Sequence, residues 1–130
     1  MIYPIEECSE IKEASLSNRC KKSSKGEFTK HYLVNSSKEE IAFVSLDINQ
    51  SLEYVVLYDL LVPFHKRHSG FGSSALREVE ELISNLGFKK IVLNPEPYER
   101  NYPKEKLISW YKSKGYKFTQ NGTCEMEKDI

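Results

Sequence analysis

Apolar residues in this chain recur in two rhythms, and the change from one to the other locates its elements. Residues 52–62 (LEYVVLYDLLV) form a nearly continuous apolar run rich in β-branched and aromatic side chains, which predicts a mostly buried strand. After a glycine-rich break the rhythm lengthens. Ala75, Leu76, Val79, Leu82, Ile83 and Leu86 recur at helical spacing and leave Arg77, Glu78, Glu80 and Glu81 on the opposite face. Gly87 stands where a helix end favours a left-handed residue, and residues 88–93 return to a short buried strand. Strand, helix and strand in that order predict a right-handed parallel crossover.

Upstream, residues 28–34 and 41–48 read as strands parted by the turn Asn35-Ser36-Ser37-Lys38, and Asn49-Gln50-Ser51 turns into the long strand. Strands at hairpin spacing predict an antiparallel meander. Residues 4–22 place Ile5, Cys8, Ile11, Ala14 and Leu16 among many charges, which predicts one or two short helices with an imperfect apolar face. Downstream, a loop with Pro95, Pro97 and Pro103 carries Tyr98, Arg100 and Tyr102. Pro103 suits the first position of a helix over residues 104–114, with Leu107, Ile108 and Tyr111 on one face and Gly115 closing it. Residues 116–119 and 124–127 flank Asn121-Gly122 and predict a hairpin whose last strand is an available sheet edge, suited to pairing in a homodimer. The expected fold class is α/β (α+β), a mixed, mostly antiparallel sheet flanked by helices.

Composition narrows the classes of function. At 130 residues the chain suits one domain spanning residues 1–130. Its 19 basic and 19 acidic side chains balance, so no overall field argues for nucleic acid or a membrane surface. The basic stretch Lys21-Lys22-Ser23-Ser24-Lys25-Gly26 reads as a solvated turn. Cys8, Cys20 and Cys124 are an odd number without C-x-x-C or zinc spacing, which predicts reduced thiols in a cytoplasm and no metal. No run approaches the roughly 20 apolar residues of a membrane span, and Met1-Ile2-Tyr3-Pro4 begins no signal peptide. The expectation is a soluble cytoplasmic protein.

The chemistry concentrates in Arg67-His68-Ser69-Gly70-Phe71-Gly72-Ser73, which joins the long strand to the amphipathic helix. A glycine-rich turn opening a helix lays backbone N–H groups toward one point, where the helix dipole also favours negative charge. Lys66, Arg67 and His68 stand where the counter-charges of a phosphate are wanted. No Gly-Lys-Ser/Thr follows, so the stretch is not a nucleoside-triphosphate P-loop. Gly70-Phe71-Gly72-Ser73-Ser74-Ala75 fits the dinucleotide fingerprint, but the next strand ends in Asn94-Pro95 rather than an acidic residue, and too little chain remains for further strand-helix units.

Two segments together resemble the GNAT superfamily of acyl-CoA-dependent N-acetyltransferases. Residues 59–72, a strand end followed by Arg67-His68-Ser69-Gly70-Phe71-Gly72, are similar to that family's Arg/Gln-x-x-Gly-x-Gly/Ala, and Trp110-Tyr111-Lys112-Ser113-Lys114-Gly115-Tyr116 is similar to its C-terminal aromatic-Tyr-x-Lys-x-Gly-aromatic signature. The resemblance covers the chain from about Ile41 onward and implies acetyl-CoA as co-substrate and an amine acceptor, small molecule or protein. It implies that amides of residues 68–73 (His68, Ser69, Gly70, Phe71, Gly72 and Ser73) bind pyrophosphate beside Arg67. Pantetheine would lie between Leu61-Val62 and Leu93-Asn94. Val62 would offer its N–H to the thioester carbonyl, and Tyr111 its phenol to the sulfur.

The general base is where the chain departs from the pattern. Positions that hold a strand glutamate in many relatives hold Tyr58 and Val56 here, and another holds Asn94. Asp59 is the nearest carboxylate in the strand, facing away from Tyr58 by alternation. Glu96, Glu99 and His65 are the loop candidates, with water or bulk solvent as the other route. Lys104 stands where relatives often have an asparagine, and Tyr98, Arg100 and Tyr102 border the expected acceptor side. Two rival expectations stand beside the enzyme: a CoA-binding sensor or interaction protein without efficient turnover, and a nicotinamide-dinucleotide binder.

Overall fold

In the computed structural model, which describes residues 1–8, 10–99 and 101–130, the chain opens with strand β1 (Ile2–Pro4), a 3₁₀ turn at Ile5–Glu7 and helix α1 (Ala14–Lys22). It continues through β2 (Thr29–Ser36), β3 (Glu39–Asp47), β4 (Tyr54–Leu61), α2 (Phe71–Asn85), β5 (Lys90–Leu93), α3 (Lys104–Ser113), β6 (Lys117–Phe118) and β7 (Met126–Asp129). The strands form one sheet in the order β1-β2-β3-β4-β5-β7-β6. The meander β2-β3-β4 is antiparallel, as hairpin spacing predicts. The crossover through α2 brings β5 parallel to β4, and β5, β7 and β6 pair antiparallel. No described helix is long and apolar enough to cross a membrane.

The sheet is buried on both faces, which is why β2 and β3 read as near-continuous apolar runs. Leu33 and Phe43 turn toward Leu16 of α1 on one face. Val34, Val44, Leu46, Val55 and Leu57 turn toward Ala75, Leu76, Val79 and Ile83 of α2 on the other. Each fully buried aliphatic or aromatic side chain contributes about 1.5–3 kcal/mol, so the larger α2 face dominates cohesion. Gly87 adopts the left-handed conformation expected of it, φ 95°, ending the α2 segment.

Residues 4–22 hold short helices as expected, the 3₁₀ turn at Ile5–Glu7 and α1, while Ile2–Pro4 adds an unexpected edge strand on β2, pairing Tyr3 with Leu33. A three-residue strand is too short to show alternation. One expectation is corrected. The last strand is not an edge: β7 lies between β5 and β6, so the free edges belong to β1 and the two-residue β6. A dimer built on residues 124–127 as an open edge therefore has no edge to use.

Candidate active site

The cleft arises where two strands part company. Parallel pairing of β4 with β5 ends at Leu57 and Leu93, and beyond that point the strands share no register. On its other side β4 carries a bulge: Ser45 faces Asp59 while Leu46 faces Leu57, so Tyr58 is the inserted residue. The insertion resets the alternation, directing Leu60 to the α2 core and Leu61 to the α1 core. The gap is a cleft of about 400 Å³. Its walls include Leu57, Tyr58 and Leu60 from β4, Val62 just after it, Asn94, Glu96 and Tyr98 after β5, and Trp110 and Tyr111 from α3. Tyr58 stands 63 % exposed at its mouth.

One end of the cleft is the glycine-rich turn. His68 has φ 63° and Gly70 φ 80°, so the chain passes through two left-handed residues before α2 begins. Gly70 is the N-cap and supplies no side-chain cap; the first helical bond runs from the Ser74 N–H to the Gly70 carbonyl. The N–H groups of Phe71, Gly72 and Ser73 are thereby left without intrahelical acceptors, as at any helix start. His68, Gly70, Gly72 and Ser73 line the cleft. A Cβ on Gly72 would sit 3.4 Å from the Trp110 ring, at van der Waals contact, so the space beside the cradle is closed by α3 to any larger side chain. Arg67 donates from Nε to the Val62 carbonyl at 3.0 Å and pairs through its guanidinium with Glu99. Lys66 turns away, to the Glu40 carbonyl at 2.8 Å and Glu39 at 2.9 Å.

Tyr111 forms the floor. It is 7 % exposed, sits edge-on to Trp110 and Tyr116, and burial alone pushes its phenol well above the ordinary tyrosine value. Tyr116 is also driven up, by burial first and then by Glu80, whose carboxylate accepts its hydroxyl at 2.9 Å. Both phenols are held neutral by lack of solvent.

The expected site residues divide clearly. Val62, Arg67, His68, Gly70, Gly72, Ser73, Asn94 and Tyr111 meet on the cleft. Phe71 packs its ring on the α2 core, Leu61 packs toward α1, and Ser69 lies in the turn without lining the cleft. Asp59 lies off the lining, bound to Arg19, Ser23 and Tyr98. Among the loop carboxylates, Glu96 and Glu99 line the cleft and are paired with Lys104 and Arg67, while His65 points to Glu13 at 3.5 Å. Arg100 lies outside the described residues. Sequence reasoning missed Arg19 and Ser23: a basic residue in the last turn of a helix reads as ordinary dipole compensation, and nothing local ties it to a strand some 40 residues on.

No protein-family model matches the chain. No curated protein matches it either. Solved structures match it in shape. An aminoglycoside 6'-N-acetyltransferase complexed with coenzyme A superposes with a TM-score of 0.68 at 15 % identity, over 99 % of this chain and 96 % of its own. A GNAT family acetyltransferase from Elizabethkingia anophelis with acetyl-CoA bound gives 0.66 at 15 % identity, over 100 % of this chain and 97 % of its own. The PaiA N-acetyltransferase of Thermoplasma acidophilum in complex with coenzyme A gives 0.61 at 19 % identity, over 89 % of this chain and 68 % of its own. The fold is therefore that of the GNAT acetyltransferases.

Proposed function

We propose that this protein transfers the acetyl group of acetyl-CoA to a primary amine by direct attack. The reading is carried by one coincidence: a helix start with free N–H groups, a parted strand pair and a buried phenol all border the same cleft. Pyrophosphate lies against the amides of residues 68–73, with Arg67 supplying positive charge. Pantetheine runs in the gap as an added strand between Leu61-Val62 and Leu93-Asn94, bonding to backbone and asking little of side chains. The Val62 N–H faces the thioester carbonyl and stabilises charge as it develops on oxygen.

The amine must attack as the free base. Its lone pair forms the C–N bond, the C–S bond breaks, and the leaving sulfur takes the Tyr111 proton. The proton released by the amine returns through water to the phenolate, so the enzyme ends as it began. The described carboxylates on the cleft, Glu96 and Glu99, are each already engaged by a cationic side chain, Lys104 and Arg67. Deprotonation of the amine is accordingly assigned to solvent.

A free-thiol release assay with acetyl-CoA and a panel of primary amines tests the reading, and amine-dependent release is the expected result. Tight acetyl-CoA binding without release from any amine would instead support a CoA-binding sensor or interaction protein, the reading that the paired state of the cleft carboxylates favours.

A further inference from the structure

Asp59 is a carboxylate with no capacity left for a substrate. Its Oδ1 accepts from Arg19 Nη2 at 2.9 Å and from the Tyr98 hydroxyl at 3.0 Å; its Oδ2 accepts from Arg19 Nη2 at 3.0 Å and from Ser23 Oγ at 3.2 Å. A carboxylate offers about four lone-pair sites, and all are taken. The side chain is only 13 % exposed and points toward α1, on the sheet face opposite α2. Such a group is fully engaged and serves as an anchor.

What it anchors is Tyr98. The Tyr98 ring lines the cleft, its hydroxyl donates to Asp59, and the Arg19 guanidinium lies 5.1 Å from the ring centroid. The neighbouring residue, Glu99, is tied to Arg67 of the cradle. Two adjacent loop residues thus reach back across the parted strands, one to β4 and one to the phosphate turn, in a segment already stiffened by Pro95 and Pro97.

We infer that Arg19, Ser23 and Asp59 form a positioning set that fixes Tyr98 as the wall against which the acceptor amine is selected; the inference rests on the acetyl-transfer reading above. Asp59 touches neither acceptor nor thioester in this arrangement and acts through Tyr98. Burial and the adjacent Asp59 charge both raise the Tyr98 phenol, which keeps it the neutral donor that the contact needs.

Three variants test this in the full chain: Tyr98→Phe, Asp59→Asn and their double, with ethylamine and phenethylamine as compact and bulky acceptors. Both single variants are expected to shift the ratio of kcat/KM for the two amines about tenfold in the same direction, and the double no further than either single. Acetyl-CoA affinity by calorimetry stays within about twofold. Arg19→Lys keeps the parent ratio better than Arg19→Met, and the Tyr102 amide, which donates to the Glu99 carbonyl at 3.2 Å, exchanges about tenfold faster in both single variants while β2 and β3 stay protected. Loss of turnover with every amine in Asp59→Asn, with Tyr98→Phe unaffected, would make Asp59 the base and overturn the inference. Unchanged selectivity and unchanged exchange in Tyr98→Phe would overturn it as well. If the parent acetylates no amine, the acetyl-transfer reading fails, and amide exchange alone decides whether the network holds the wall.

Discussion

Burial that leaves Tyr111 only 7 % exposed raises its phenol, so the hydroxyl stays protonated at neutral pH and well beyond it. On the proposed role, Tyr111→Phe removes the proton donor without other damage, because the ring keeps its place between Trp110 and Tyr116. The expected outcome is a kcat about a hundredfold lower with acetyl-CoA affinity and melting temperature nearly unchanged, read by steady-state kinetics and calorimetry. Equal kcat in parent and variant would return Tyr111 to the core. The pH profile follows from the same chemistry. With solvent removing the ammonium proton, activity rises about tenfold per pH unit until the acceptor's own pKa, and the raised Tyr111 imposes no falling limb near neutrality. A plateau well below the pKa of the amine would reveal a protein base, Glu96 first. Tyr111 was legible in the sequence because the string Trp110-Tyr111-Lys112-Ser113-Lys114-Gly115-Tyr116 is local. The bonds that occupy Asp59 were not, because they join residues brought together only by α1 docking on the sheet.

At the level of elements, the cradle and the helix behind it were readable from periodicity, since a change from strand to helical spacing is itself the signal. The short strand Ile2–Pro4 and the bulge at Tyr58 were not: the first is too brief for a pattern, and the second is visible only as a register shift against β3. The two cradle glycines differ in what they require. Gly70 has open space around it but a left-handed φ of 80°, so Gly70→Ala strains the backbone by about 1 kcal/mol and lowers stability. Gly72 has no such conformational demand, but a side chain there meets Trp110 and crowds the amides; Gly72→Val is expected to weaken acetyl-CoA binding at least about a hundredfold with circular dichroism unchanged. Unaltered affinity in Gly72→Val would mean that phosphate is held elsewhere. Helix α1 hangs on one fully buried side chain, Leu16. Leu16→Ala should cost about 2–5 kcal/mol in urea unfolding and loosen the Arg19 end of the helix along with it.

Taken whole, the molecule keeps several phenols out of water, and that sets its response to alkali. Tyr111 and Tyr116 are 7 % and 2 % exposed, and both have raised values in the fold against 10.0 for an ordinary phenol. Above that ordinary value the unfolded chain gives up protons that the folded chain retains. The unfolded state then binds fewer protons, so stability is fully present below about pH 10 and falls as pH rises, by up to about 1.4 kcal/mol per pH unit for each of the two. Urea midpoints measured at about pH 8 and about pH 11 should show the drop, and the Tyr111→Phe/Tyr116→Phe double variant should show a shallower one. A parent midpoint that does not move would contradict the burial of these hydroxyls.

The claim on which the rest depends is that the parted strands and the glycine-rich helix start hold acetyl-CoA. Calorimetric titration of the full chain with acetyl-CoA, CoA and NAD in turn, beside Gly72→Val, addresses it directly. The account predicts saturable micromolar binding of acetyl-CoA and CoA, none of NAD, and its loss in the variant. Binding of NAD in place of CoA, or no heat with any of the three, would contradict it.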